Sequence, residues 1–252
     1  MRSDNHELSS TRILMLGIIC CIVVANIYFN QSVLNLIAGS FPNEWGAVSL
    51  IPMVTQVGYA VGLFFLIPLG DYIERQRLIL RQAQVLFLAM IGMMLSPTAT
   101  VLVFYSFLTG MAATVAQQIV PLAASLSRTS ARGKTVCTVM SGVLAGILAG
   151  RAIGGLIGQY VGWRGVFLSG AIMTLLAIFF ILRILPTQSL STPKFNYLAV
   201  LRSLGLLWKN EPQVRGATLT QVMLFASFSV LWTVLPFWLA HRYDYGAGIT
   251  AP

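Results

Sequence analysis

The chain has 252 residues, of which 57% are hydrophobic and only 9% charged, against about 25% charged and 45–50% apolar in a soluble domain. So few polar groups cannot cover a water-facing surface, so the composition excludes an ordinary soluble globule and places the chain in a bilayer. The net charge of +9 comes from 16 Lys+Arg against 7 Asp+Glu, which alone would suggest nucleic acid until the topology below absorbs it.

A membrane span needs about 20 apolar residues, because the hydrocarbon layer is roughly 30 Å thick. Seven runs qualify: Leu14–Leu36, Ala47–Leu69, Leu78–Leu95, Ala99–Ser125, Val136–Gly158, Val166–Leu185 and Ala217–Leu239. Each predicts a helix, since backbone polar groups must be satisfied inside lipid. The expected fold class is therefore an all-α membrane protein. The first run is too long for the apolar core of a signal peptide, and Asp4 and Glu7 dilute the basic segment before it, so it is expected to stay uncleaved.

Most connections are short, which predicts antiparallel neighbours. The exception runs from about Pro186 to Arg215. Within it Phe195–Trp208 places Leu198, Leu201, Leu204 and Trp208 on one helical face, flanked by Lys194, Arg202 and Lys209. That pattern predicts an amphipathic helix on the membrane surface. The domain reading is a six-helix bundle over 1–185, a linker over 186–215, and a seventh span within 216–252. The residues after Leu239 read as an approach to a further helix, so the chain is expected to be a truncated form, with its C-terminus outside.

Loop charge sets the orientation. With the N-terminus inside, the inner segments hold thirteen basic residues: Arg2, Arg12, Arg75, Arg77, Arg81, Arg128, Arg132, Lys134, Arg183, Lys194, Arg202, Lys209 and Arg215. The outer segments hold only Arg164 and Arg242. This asymmetry predicts a cytoplasmic N-terminus and removes any need for a nucleic-acid partner.

Inside the spans, Gly142, Gly146, Gly150, Gly154 and Gly158 recur every four residues, and Gly58 and Gly62 share that spacing. Such stripes let helix backbones approach closely in lipid. They read either as static packing or as a surface on which halves of a transporter move, the second and fifth spans being equivalent in an inverted three-plus-three repeat. Arg151 lies within this stripe, in the outer half of its span. A charge there is expensive and marks a functional hypothesis. Its partner is expected to be backbone, a segment beyond the chain, or a substrate anion. Asn26, Tyr28, Asn30 and Gln31 in the first span, Gln56 and Tyr59 in the second, and Thr109, Thr114, Gln117 and Gln118 before Pro121 in the fourth predict a polar cavity. Asn26, Asn30, Gln117, Gln118 and Arg151 are the candidate substrate-binding residues. At the second inner loop Asp71 and Glu74 stand against Arg75, Arg77 and Arg81, which suggests a charged latch.

No catalytic group, metal site or cofactor is expected. His6 and His241 lack partners, and Cys20, Cys21 and Cys137 lie in apolar runs without metal spacing. The spans contain no Asp, Glu or Lys. That leaves no carboxylate for proton coupling, no lysine for the retinal Schiff base of a seven-helix receptor, and no nucleophile–base pair for a membrane enzyme.

These residues together resemble the major facilitator superfamily of secondary transporters, in a bacterial inner-membrane branch of uncharacterised or efflux type. The segment Pro68–Arg77 is similar to its motif A, Gly-x-x-x-Asp-Arg-x-Gly-Arg-Arg. Asp71 and Arg75 match, Arg77 falls just beyond, and Ile67, Tyr72 and Glu74 depart. Gly146, Gly150, Gly154 and Gly155 match motif C of the antiporter branch, with Arg151 in place of its Pro. Gly110, Ala112 and Ala113 match motif B, with Ser106 in place of the Arg associated with proton coupling. The resemblance implies an N-terminal six-helix half of a twelve-helix transporter working by alternating access. Asp71, Arg75 and Arg77 would form a gate. The glycine stripe would face a helix of the other half, and so lipid or another chain here. The expected function is transport of a small solute across the inner membrane, an anionic or amphipathic one exported. The chain alone is expected to be inactive, as a truncated or pseudogene product. The alternatives are a half-transporter acting as an oligomer and, more remotely, a seven-helix receptor. Oligomeric state, substrate, direction and coupling ion stay open.

Overall fold

In the computed structural model the described residues are 9–70, 72–185 and 197–243. Asp71 and the linker residues 186–196, including Lys194 and Phe195, lie outside them. Only helices occur among the described residues. The chain divides into two compact units, Met1–Ser191 and Thr192–Pro252.

The first unit is a bundle of six spans built from α1 (Ser10–Ser32), α2 (Leu34–Ser40), α3 (Trp45–Leu69), α4 (Arg75–Leu95), α5 (Ala99–Ala112), α6 (Val115–Ser125) and α7 (Arg132–Ile184). Two boundaries differ from the sequence expectation. The first span ends at Ser32, not Leu36, and α2 follows a break at Val33 (φ −112°, ψ 13°). There Ser32 Oγ donates to Phe29 O at 2.8 Å, and this local bond competes for the carbonyl that would carry the helix onward. The fourth span is broken at Ala113–Thr114 into α5 and α6. Pro121 lies inside α6, where it lacks an N–H for Gln117 O and crowds that turn. Thr114 Oγ1 donates instead to Met111 O at 2.9 Å.

The fifth and sixth spans are two helical arms, labelled together as α7, that meet at a tight turn at Gly162 (φ 78°, ψ 172°). That region of backbone space is essentially reserved for glycine. The first arm, 132–161, and the second arm, 163–184, run in opposite directions, because Gly150 lies against Ala25 and Gly170 lies against Asn26 on the same turn of α1.

The glycine stripe explains the pairing of α1 with the first arm, part of the contact between α1 and α7 that is the most extensive of the bundle. Gly142 meets Gly17, Gly146 meets Cys21, Gly150 meets Ala25, Gly154 meets Phe29 and Ser32, and Gly158 meets Val33. Both helices ascend together through these pairs, so they are parallel. A Cβ on Gly146 would sit 2.5 Å from Cys21 O, and one on Gly150 2.7 Å from Ala25 O. The stripe therefore faces α1 inside the unit, which corrects the expectation that it faces lipid or another chain. Small residues win this position because only they allow backbones so near each other.

The second and fourth spans repeat the arrangement. Gly58 meets Phe107 and Met111, Gly62 meets Met111 and Thr114, and Gly110 meets Thr55 and Tyr59, again in ascending order. The parallel pairs α1 with the first arm and α3 with α5 are related as an inverted three-plus-three repeat requires. At the end of the bundle where α4 finishes, Glu44 Oε2 accepts from Ala99 N (3.0 Å) and Thr100 N (3.3 Å). A carboxylate at a helix N-terminus is favourable.

The second unit contains α8 (Tyr197–Asn210) and α9 (Pro212–Tyr243). α8 covers most of the predicted amphipathic segment, with Leu198, Leu204, Leu207 and Trp208 exposed. α9 contains the predicted seventh span.

Candidate functional site

Arg151 lies 11 residues before Gly162, or roughly 16 Å along the arm at 1.5 Å per residue. The arm holds 30 residues by its numbering, so Arg151 sits about 7 Å from its midpoint, on the Gly162 side. Its Nη2 donates to Gln31 Oε1 at 3.3 Å, and its Cζ stands 4.9 Å from the Tyr28 ring centroid. Helix α1 therefore meets a charge that lipid would penalise with an amide dipole and an aromatic face.

Tyr59 on α3 lies one turn past Thr55, which accepts from Asn30 on α1 at 2.6 Å. Tyr59 Oη accepts from Gln117 Nε2 on α6 at 3.1 Å. Four helices thus contribute to one patch: α1 with Tyr28 and Gln31, α3 with Tyr59, α6 with Gln117, α7 with Arg151. Gln31, Tyr59, Gln117 and Arg151 are all partly exposed. One fixed cation surrounded by amides and phenols is suited to hold an anion through charge-assisted hydrogen bonds.

The other candidates occupy helix interfaces. Asn26 is 1% exposed, and its Nδ2 donates to Thr174 Oγ1 at 2.9 Å. Asn30 Nδ2 donates to Thr55 Oγ1 at 2.6 Å, tying α1 to α3. Gln118 Nε2 donates to Gln82 Oε1 at 2.8 Å, and Gln82 Nε2 to Thr114 Oγ1 at 3.3 Å, beside the break in the fourth span. The five candidates are therefore split: Arg151 and Gln117 lie on the partly exposed patch, while Asn26, Asn30 and Gln118 are buried behind it.

Sequence reasoning passed over Gln82, Thr55 and Thr174; Thr174 is isolated in an apolar run, whereas Gln82 stands beside Arg81 and Thr55 beside Gln56. Tyr28, Gln31 and Tyr59 were visible as polar residues of the first and second spans but were not chosen. Ser106, at the position of the motif B arginine, is buried and donates to Leu102 O at 2.8 Å.

At the α3–α4 connection, Tyr72 N and Ile73 N donate to Leu69 O (3.0 and 2.9 Å). Arg75 opens α4, and Arg77 Nε pairs with Glu74 Oε2 at 2.6 Å. With the Arg77 side chain 69% exposed, this pair contributes little stability. Asp71 lies outside the described residues, so the rest of the latch is not described. Among the described residues no cluster of three or more metal-ligating side chains occurs.

Comparison with known proteins agrees with this architecture. The family described as Major Facilitator Superfamily matches residues 16–252. The chain is 38% identical over 253 aligned residues to the uncharacterized transporter YgaY of Escherichia coli O157:H7, covering 99% of this chain and 63% of that protein. It is 31% identical over 232 residues to the transporter SCO4007 of Streptomyces coelicolor, covering 92% and 54%. The chain thus spans less than two thirds of the length of these relatives. Among solved structures, a D-xylose–proton symporter superposes with a TM-score of 0.61 at 15% identity, covering 90% of this chain and 57% of the other. At that identity the likeness speaks for the fold.

Proposed function

The chain belongs to the major facilitator superfamily of multi-pass membrane transporters, and from that premise we propose that it supplies one wall of a path for a small anionic solute. Arg151 carries the reading, as a permanent cation near mid-membrane on a partly exposed face. Gln31 and Tyr28 orient the guanidinium, and Tyr59 and Gln117 supply further hydrogen-bonding groups to the solute. Asn26, Asn30 and Gln118 act from behind, tying α1 to α7 and α3, and α6 to α4. The second wall comes from chain of the kind the longer relatives carry, and transport proceeds by alternating access between the walls. Asp71, Arg75 and Arg77 form the gate at the cytoplasmic face.

The excess of basic residues at one membrane face supports an inner-membrane location with a cytoplasmic N-terminus. The test is binding and flux by the purified chain. A panel of small carboxylates and phosphates is compared with neutral and cationic solutes by thermal shift. Anions should stabilise the wild type, and Arg151→Gln should weaken them by roughly 10- to 100-fold, the range expected for hydrogen bonds to a charged group. A preference for neutral or cationic solutes, or equal anion binding by Arg151→Gln, refutes the reading. In liposomes the chain alone should give no flux. Flux dependent on chain density would favour two copies acting together.

A further inference from the structure

Away from this patch, a groove of about 440 Å³ lies where α4 ends and α7 turns, lined by Met94, Leu95, Val161, Arg164, Gly165 and Leu168. Its walls are apolar, and Arg164 is the single charge in the lining.

Arg164 is held on a rigid base. Its Nη2 donates to Ser96 O at 3.3 Å, just past the C-terminus of α4. Its Cζ lies 4.1 Å from the Trp163 ring centroid. Trp163 is buried, donates through Nε1 to Ser40 Oγ at 2.9 Å, and packs edge-on against Phe167. A guanidinium has five N–H donors in a planar fork, so the bond to Ser96 O leaves donors at the mouth of the groove. Glu44, the carboxylate at this end, is engaged by Ala99 N and Thr100 N.

The level of the groove in the bilayer follows from the elements around it. Ser96 closes one span and Gly162 is the turn between two others, so the mouth lies where spans end. Tyr160, beside it, is 84% exposed, and exposed tyrosines collect at headgroup level. From the mouth an apolar track descends along the second arm of α7: Leu168, Ile172 and Leu175 are all exposed, at helical spacing. A cation at headgroup depth above such a track matches one kind of molecule, with an anionic head and a hydrocarbon tail.

We propose that this groove binds a phospholipid, its phosphate on Arg164 and one acyl chain along Met94, Leu95, Val161, Leu168 and Ile172. The site is separate from the solute patch and stands whether or not that patch binds anions. A soluble phosphate would use the cation but not the track, and a lipid without phosphate the track but not the cation.

Native mass spectrometry of the purified chain tests this with dioleoylphosphatidylglycerol, dioleoylglycerol and inorganic phosphate as probes. One phosphatidylglycerol should be retained per chain, with dioleoylglycerol about tenfold weaker, as loss of one charge-assisted contact implies. Arg164→Gln should bring phosphatidylglycerol down to the dioleoylglycerol level, while Arg164→Lys keeps most of the difference. Leu168→Ser should weaken both lipids alike, which keeps the test decisive if Arg164→Gln does not fold. Equal retention of the two lipids by wild type, or displacement of phosphatidylglycerol by millimolar inorganic phosphate, overturns the proposal.

Discussion

The contact between α1 and the first arm of α7 allows one substitution to be worked through from geometry. In Gly146→Ala the new methyl would lie 2.5 Å from Cys21 O, 3.0 Å from Cys21 Cα and 3.1 Å from Cys21 C. All three are backbone atoms, so no side chain can swing away. An ordinary carbon–oxygen contact is about 3.3 Å or longer, so the helices must part by roughly 0.8 Å. A gap of 0.5–1 Å forfeits about a quarter to a half of each dispersion contact it opens. Overpacking of this kind costs about 3 kcal/mol at the upper end of its usual range. Alanine returns about 1 kcal/mol over glycine in a helix interior. The expected net loss is about 2 kcal/mol. The control is Gly133→Ala, in the same helix, where a Cβ meets nothing within 4 Å. There only the propensity gain remains, which at this second helical position is at most about 1 kcal/mol. Two identical substitutions in one helix should therefore differ by about 2–3 kcal/mol, with only Gly146→Ala destabilising. Unfolding by SDS titration from mild detergent micelles, followed by circular dichroism, measures both. Equal effects in the two variants would refute the close backbone approach. The same parting would draw Arg151 away from Tyr28 and Gln31, so Gly146→Ala should also weaken anion binding.

Three further outcomes are expected. Gly162→Ala should cost about 1–3 kcal/mol through backbone strain alone, since a Cβ there meets no atom within 4 Å; a neutral result in the same SDS titration would contradict the positive φ. Thr174→Val removes the acceptor of buried Asn26 Nδ2 and should cost about 0.6–1.7 kcal/mol, the range for hydrogen bonds between membrane helices. It should leave solute binding unchanged, whereas Gln117→Ala should weaken binding with little loss of stability; the reverse pattern in thermal-shift titrations would exchange the two roles. Cys137 is exposed and Cys20 fully buried, so a membrane-impermeant maleimide should label Cys137 in inside-out vesicles and not in intact cells. Labelling from outside would invert the proposed topology.

The positions of the spans were legible because a bilayer demands length and apolarity, and both are written in composition. The breaks were less legible. Pro121 announced a disturbance in the fourth span, but the helix gives way a full turn and more earlier, at Ala113–Thr114. Gly162 fell in the short connection expected between the fifth and sixth spans, but a glycine among several there carries no mark of which one takes the positive φ. Arg151 was legible as the charge deepest within a span, since Arg81 and Arg183 lie near the ends of theirs. Its partners were not, for a rotational reason. Asn26 and Asn30 lie within about 40° of each other around α1, whereas Tyr28 is about 200° from Asn26 at 3.6 residues per turn. The sequence displays both polar faces equally. Only the packing of Thr55 and Thr174 shows that the asparagines face inward and that Tyr28 and Gln31 face Arg151. Gln117 and Gln118 divide in the same way, about 100° apart, one on Tyr59 and the other on Gln82.

The parallel pairing of α1 with the first arm of α7 also bears on the order in which the bundle is made. The paired residues Gly17 and Gly142, Cys21 and Gly146, and Ala25 and Gly150 are each 125 positions apart. At a synthesis rate of about 5–20 residues per second, α1 waits roughly 6–25 s for its partner after it enters the membrane. In that interval lipid tails cover its small-residue face and must be expelled when the arm arrives. The α3–α5 pair, Gly58 with Phe107 and Gly62 with Met111, is separated by only 49 positions, and closing the shorter loop costs less entropy. The α3–α5 pair thus has the shorter loop to close, while α1, which can be tied early to α3 through Asn30 and Thr55, completes its small-residue packing only when the fifth span arrives.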